Sequence, residues 1–146
     1  MGIYIRDFEA SDALMLDGII EPGVLGNPQH ARWAAAYKEH GPAFTGVRDG
    51  RIIGCGGIMI LWPGVGEAWA NLAPAVKHSP KDVLYCLRKG LEIISSAYEL
   101  RRVQAIATPS FPESVRLLKH LGFAEEGVMR GYWENGEDAV MMARVK

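Results

Sequence analysis

Residues 66–108 read GEAWANLAPAVKHSPKDVLYCLRKGLEIISSAYELRRVQAIAT, and this stretch decides the fold. A run of β-formers predicts a strand over 66–76. Ser79, Pro80 and Asp82 then supply a cap, a first-turn proline and an acidic residue at the amino end of a helix. Leu84, Leu87, Leu91 and Ile94 recur on one helical face and carry that helix to about residue 97. Val103, Ala105 and Ala107 alternate with Gln104 and Ile106 in a second strand near 102–108, ended by Pro109. A strand, a helix and a strand in this order predict a parallel crossover. Such units favour ligands beyond the carboxyl ends of their strands, and the helix's amino end suits an anion.

Upstream, Ile3, Ile5 and Phe8 predict a strand, and Ser11 and Asp12 cap a short helix through Ala13 to Leu16. A second helix fits between Asn27-Pro28 and Gly41-Pro42. Residues 43–61 alternate like a hairpin turned by Asp49-Gly50, whose second arm holds Gly54, Gly56 and Gly57, the mark of a bulge or of closely packed backbone. Downstream, a helix over 112–121 stops at Gly122, and strands over 124–130 and 138–145 flank Asn135-Gly136. The order is that of an α/β chain, an α+β mixed sheet with an antiparallel front half and a parallel crossover at its centre.

The chain has 146 residues, the size of one domain over 1–146, and 16 basic residues against 17 acidic ones. With a formal charge of -1 and no long basic run, it has no footprint for nucleic acid. No apolar stretch is long enough for a signal or a membrane span, so a cytosolic location is expected. Cys55 and Cys86 are too isolated for a disulfide framework and read as free thiols. His30, His40, His78 and His120 lack metal-ligand spacing, and no metal is expected.

Residues 113–127, ESVRLLKHLGFAEEG, with Arg130, Gly131, Tyr132 and the run EDAVMMARV at 137–145, resemble the GNAT superfamily of acetyl-CoA-dependent N-acetyltransferases, whose order of elements the chain matches over nearly its full length. GEAW at 66–69 and FPESVRLLKHLGF at 111–123 resemble the small GNAT-like proteins of tailed phages. The resemblance implies a GNAT-like acyl-CoA N-acyltransferase fold, a sheet of about seven strands flanked by about four helices. It implies an acetyl group moved from acetyl-CoA to a primary amine by direct attack in a ternary complex. The backbone of Leu72, Ala73, Pro74 and Val76 would lie along the pantetheine arm, and Lys77, His78, Ser79, Lys81, Asp82 and Val83 would meet the pyrophosphate. Glu67 is the candidate general base, with Asn71 beside it.

Alternation puts Glu67, Trp69, Asn71 and Ala73 on one face of their strand, and Ala68, Ala70 and Leu72 on the other. A carboxylate, an indole and an amide on one face suit a substrate cleft. The alternative sets Glu67 in water at the strand's start and Asn71 capping a loop. Trp33, Trp62, Trp69 and Trp133 divide between an acceptor pocket and core packing.

Two departures from the family's pattern bear on activity. Its pyrophosphate loop is glycine-rich, whereas Val76 to Asp82 holds no glycine; Lys77, His78 and Lys81 supply positive charge there, Pro80 donates nothing and Asp82 repels phosphate. Phe111 and Leu118 stand where the family often has an asparagine and the tyrosine that protonates the leaving thiolate. That proton would come from Ser110, Ser114, Tyr132 or water. A catalytically inactive scaffold, a binding or phage-associated assembly protein, is the alternative reading. The acceptor is not legible, segments 17–30 and 62–66 are expected to touch it, and the oligomeric state is open, a homodimer included.

Overall fold

The computed structural model describes residues 2–14 and 36–146. Its strands are β1 (Tyr4–Asp7), β2 (Ala43–Arg48), β3 (Arg51–Trp62), β4 (Val65–Leu72), β5 (Arg102–Ala107), β6 (Ala124–Met129) and β7 (Ala139–Val145). They form one sheet in the order β1-β2-β3-β4-β5-β7-β6, and β4–β5 is its parallel pair, the other pairs being antiparallel. Helix α1 (Pro80–Ala97) is the crossover between β4 and β5, and α2 (Pro112–His120) joins β5 to β6. Short 3-10 turns occupy Ala10–Leu14 and Pro74–His78. Residues 36–39 are helical; the rest of the helix expected between Asn27 and Gly41, with Trp33, lies outside the described residues.

Local chemistry explains these elements. Asp49 and Gly50 both have positive φ (51° and 77°), as a type I′ turn between β2 and β3 requires. Residues Leu121-Gly122-Phe123 end α2 as a Schellman motif. Gly122 sits at φ 92°, its N–H bonds the Lys119 carbonyl at 3.0 Å, and Phe123 N–H bonds that of Leu118 at 2.9 Å. Phe123 and Leu118 are buried in the same cluster, the apolar contact such a cap brings.

Two sequence expectations shift. The strand expected over 66–76 ends at Leu72. Ala73 still donates to the Ile53 carbonyl of β3 at 2.9 Å, but Pro74 has no N–H to continue a ladder, and Val76 N–H turns back to the Ala73 carbonyl at 3.1 Å. Pro74 and Val76 therefore belong to a turn, not to extended backbone. The glycines of β3 answer mainly to close packing: a Cβ on Gly54 would lie 2.9 Å from Leu72 Cδ2, and one on Gly56 2.9 Å from the Trp69 carbonyl. The bulge lies alongside them, where the β2–β3 register shifts after Gly46 and skips Ile53.

The sheet has a back face and a front face. On the back, Ala70 and Leu72 of β4 and Ala105 and Ala107 of β5 pack with Leu91 and Ile94 of α1 and Leu118 of α2. On the front, Trp69 packs with Phe8, Ala13, Tyr37 and Cys55. Among the described residues no helix is long and apolar enough to cross a membrane, and no three His, Cys, Asp or Glu side chains converge as metal ligands.

Candidate active site

The parallel ladder between β4 and β5 is three pairs long: Val65 with Arg102, Gly66 with Val103 and Glu67 with Gln104. Beyond it β4 stays paired with β3 as far as Leu72, and β5 with β7 as far as Ala107. The two central strands separate there and leave a cleft. Because Ala73 N–H points to β3, strand alternation turns the amides of Leu72 and Ala70 the other way, into the cleft.

Glu67 stands at the cleft's apex. It is half-buried, and its Oε1 accepts a 2.9 Å hydrogen bond from Gln104 Nε2. That bond holds the carboxylate against the last paired residue of β5. Gln104 was not singled out as a site residue in the sequence, because its pairing with Glu67 depends on a register that no local pattern specifies. Tyr132, in the β6–β7 loop, is 47% exposed and lies within electrostatic reach of the same carboxylate: burial raises its phenol above the ordinary range, and the Glu67 charge adds to the rise. Its ring meets Trp133 edge-on, centroids 4.9 Å apart, and buried Trp133 packs on Ile106 of β5. The loop is thereby pinned over the sheet.

Trp69 and Asn71, the next front-facing residues of β4, are both 3% exposed. Tyr37 stacks on Trp69 at 4.0 Å and Phe8 meets it edge-on at 5.2 Å. Trp69 Nε1 and Asn71 Nδ2 are buried without a hydrogen-bond partner among the described residues. Asn71 lies beside Cys55, its partner on β3. Burial pushes the Cys55 thiol up to about 12, Asp12 adds to the rise and Asn71 opposes it, without reaching full hydrogen-bond geometry. A thiol raised in this way is held in its neutral form. Farther along this face Asp12 gathers two bonds of 2.9 Å from Arg6, one of 2.8 Å from Glu9 N–H and one of 2.7 Å from Thr45 Oγ1. Burial works to raise its carboxyl, but these donors prevail and hold it at about 2.

The start of α1 lies at the carboxyl end of β4. Ser79 occupies the N-cap position with φ −146° and ψ 59°, and its side chain makes no capping bond. Its hydroxyl is buried without a partner among the described residues, a departure from the cap expected of it. Val83 N–H bonds the Ser79 carbonyl at 3.1 Å, whereas Lys81 and Asp82, in the first turn just before it, precede the first intrahelical donor. Lys77, His78 and Lys81 are exposed around this end and form no ion pair among the described residues; Asp82 is exposed beside them.

The other proton sources separate clearly. Ser114 is wholly buried and bonded to the Phe111 carbonyl at 2.8 Å, and Ser110 Oγ donates to Glu137 at 2.6 Å. Leu118 is 0% exposed in the back core, and Phe111 packs against it from the start of α2. Arg102 is tied to Glu126 by bonds of 2.9 and 2.7 Å. Trp62 is 58% exposed at the far end of β3. The structure brings Glu67 and Gln104 together at the apex, Tyr132 within electrostatic reach of them, Trp69 and Asn71 farther along the same face of β4, and Ser79 with its cations at the outer end.

No protein-family model matches the chain, and no curated protein matches it. Solved structures do. The IAA acetyltransferase from Bacillus cereus superposes with a TM-score of 0.76 at 15% identity, covering 99% of this chain and 100% of that one. The ribosomal-protein-S5-alanine acetyltransferase from Vibrio fischeri gives 0.74 at 19% identity over 99% and 93%. The acetyltransferase of GNAT family from Streptococcus pneumoniae gives 0.70 at 18% over 99% of both chains. Over almost its whole length the chain has the fold of the GNAT N-acetyltransferases.

Proposed function

We propose that this chain is an N-acyltransferase that moves an acetyl group from acetyl-CoA to a primary amine within a ternary complex. The observation that carries this reading is the separation of β4 from β5 directly after Glu67 and Gln104. It creates a cleft with unpaired amides along one wall, a carboxylate at its apex and a helix start at its mouth. The residues at that mouth fit an anion: Lys81 and Asp82 amides at the positive end of a helix dipole, the unpartnered Ser79 hydroxyl, and three exposed cationic or titratable side chains. Backbone at the turn can therefore do what glycines do in related loops, with Asp82 opposing it.

Acetyl-CoA supplies an activated thioester. The chain's residues do the rest. Lys77, His78, Ser79, Lys81 and the first amides of α1, ahead of Val83, hold the phosphates, while Leu72 and Ala73 border the arm. The cleft-facing amides of Ala70 and Leu72 are donors for a carbonyl oxygen whose negative charge grows during attack. Glu67 Oε1 is anchored by Gln104, and its other oxygen accepts the amine proton as the nitrogen bonds to the acyl carbon. The carbon–sulfur bond breaks, and the thiolate takes a proton from the Tyr132 phenol or from water. Asn71 and Trp69 offer donors to an oxygen of the bound acceptor. The setting is cytoplasmic, with no nucleic acid or membrane as partner.

Titration calorimetry of acetyl-CoA into the wild type and the Lys77→Ala/Lys81→Ala variant tests the reading. Micromolar binding, weakened at least about tenfold in the variant, is the expected result, since charge-assisted bonds to phosphate are the strong ones. Glu67→Gln should leave that binding unchanged and lower turnover of a panel of primary amines by about 10²–10⁴. Absence of acetyl-CoA binding would leave a scaffold in place of an enzyme.

A further inference from the structure

A second space lies behind the cleft. Between α1 and the back of β1 to β4 is a cavity of about 390 Å³, within the about 300–1,000 Å³ of small-molecule sites. Among the described residues its walls are almost wholly apolar, and Lys89 is the one charged side chain there. Ala68, Ala70 and Leu72, the back-facing residues of β4, form one wall, and Val76 and Val83 lie at the end nearest the phosphate-binding turn. The cavity thus adjoins the path along β4. Gly90, in the middle of α1, lines the opposite side, and a Cβ added there would meet nothing within 4 Å. Neither close packing nor positive φ requires this glycine, although a glycine inside a helix is unfavourable. Its effect is to leave the cavity unfilled.

We propose that this cavity receives the acyl chain of the donor, so that the chain takes medium-length acyl-CoA thioesters in preference to acetyl-CoA. The proposal rests on the acyltransferase reading above and extends it to donor class. The thioester carbon stays in the cleft, open to amine attack from the front, while the tail passes behind β4 between Ala68, Ala70 and Gly56. A saturated chain asks for no hydrogen bonds from such walls; a polar acceptor would leave its own donors unpaired there. Balance is unchanged: the amide nitrogen–carbon bond forms, the carbon–sulfur bond breaks, and free CoA leaves with the proton.

Calorimetry with octanoyl-CoA, acetyl-CoA and free octanoate, on the wild type and on Gly90→Leu, tests it. In the wild type octanoyl-CoA should bind at least about tenfold more tightly than acetyl-CoA, because each buried methylene contributes several-fold. Gly90→Leu, a favourable helix substitution, should abolish that advantage and leave acetyl-CoA affinity unchanged. Cys86 lines the same cavity and gives an independent readout: octanoyl-CoA, and not acetyl-CoA, should slow its modification by a thiol reagent. Equal affinity for the two thioesters, or an advantage that survives Gly90→Leu, overturns the proposal while leaving the acyltransferase reading intact. Octanoate bound as tightly as octanoyl-CoA overturns the donor assignment. Failure of every thioester to bind overturns both.

Discussion

The two helices that follow the central strands begin alike and are finished differently. Both carry proline in the first turn, and neither receives a capping bond from its N-cap side chain. At α2, Ser114 Oγ closes the start: it donates to the Phe111 carbonyl at 2.8 Å and lies 3.3 Å from both the N–H and the carbonyl of Thr108. At α1, the Ser79 hydroxyl is also buried and has no such partner among the described residues. Buried polar groups that serve the fold are satisfied within it, because an unmet donor or acceptor costs about 1–3 kcal/mol. A group left unmet at a helix start, beside a cleft and among cations, is what the proposed phosphate site would use.

The contrast should be largest at Asp12, the most fully satisfied side chain of the front face. Asp12→Ala strands Arg6, the Glu9 amide and Thr45 at once, and should lower unfolding free energy by about 3 kcal/mol in urea titrations. The same group sets an acid limit. Its carboxyl falls from the ordinary 3.8 to about 2 in the fold, so its contribution is complete above about pH 4 and is lost as pH falls through about 2. At about 1.4 kcal/mol for each tenfold change in proton affinity, that is on the order of 2 kcal/mol. Wild-type stability should fall over this window, and the fall should be smaller in Asp12→Ala, where the Glu126–Arg102 pair still contributes; an unchanged acid profile in the variant would assign the loss to other carboxyls.

Ser114→Ala and Ser79→Ala set the two helix starts against each other. The first should cost about 1–3 kcal/mol, since Thr108 N–H loses its partner in the core. The second should change stability by no more than about 0.5 kcal/mol, having no bond to lose, yet weaken acetyl-CoA binding about threefold. Equal stability losses in thermal melts, or a Ser79 variant that binds the thioester as well as the wild type, would remove the distinction between a structural and a functional helix start.

Much of this contrast was written in local sequence. Pro80 and Pro112 mark both starts, Asp49-Gly50 marks a turn, and the spacing of Leu91 and Ile94 marks the buried face of α1. Gly122 was legible as a stop, and the structure adds the Schellman bonds behind it. What local sequence does not contain is register and satisfaction. Ser79 and Ser114 look equally like polar residues near a helix start, and only the approach of Thr108 from β5 separates them. Gln104 is an ordinary strand residue until parallel pairing sets it against Glu67. The strand predicted to Val76 ends at Leu72 because Pro74 outweighs the apolar run around it. Segment 17–30, expected to touch the acceptor, falls outside the described residues, so the cleft is described from β4, β5 and the β6–β7 loop.

The smallest effect, and the one that sharpens the contrast most, is expected at Asp82. Its carboxylate lies in the first turn of α1, where the helix dipole favours negative charge by about 0.3–1 kcal/mol at an exposed position. A purely structural helix start gains from that charge, and a phosphate-binding one is hindered by it. Asp82→Asn should therefore lower stability by a few tenths of a kcal/mol while tightening acetyl-CoA binding about two- to threefold, the two changes having opposite sign. Both should shrink as salt is raised, because the group is exposed and its field is screened within about 10 Å at 0.1 M. A variant that loses stability and gains no affinity at low salt would show that no phosphate comes within reach of this turn, and α1 would then begin as α2 does, for the sake of the fold.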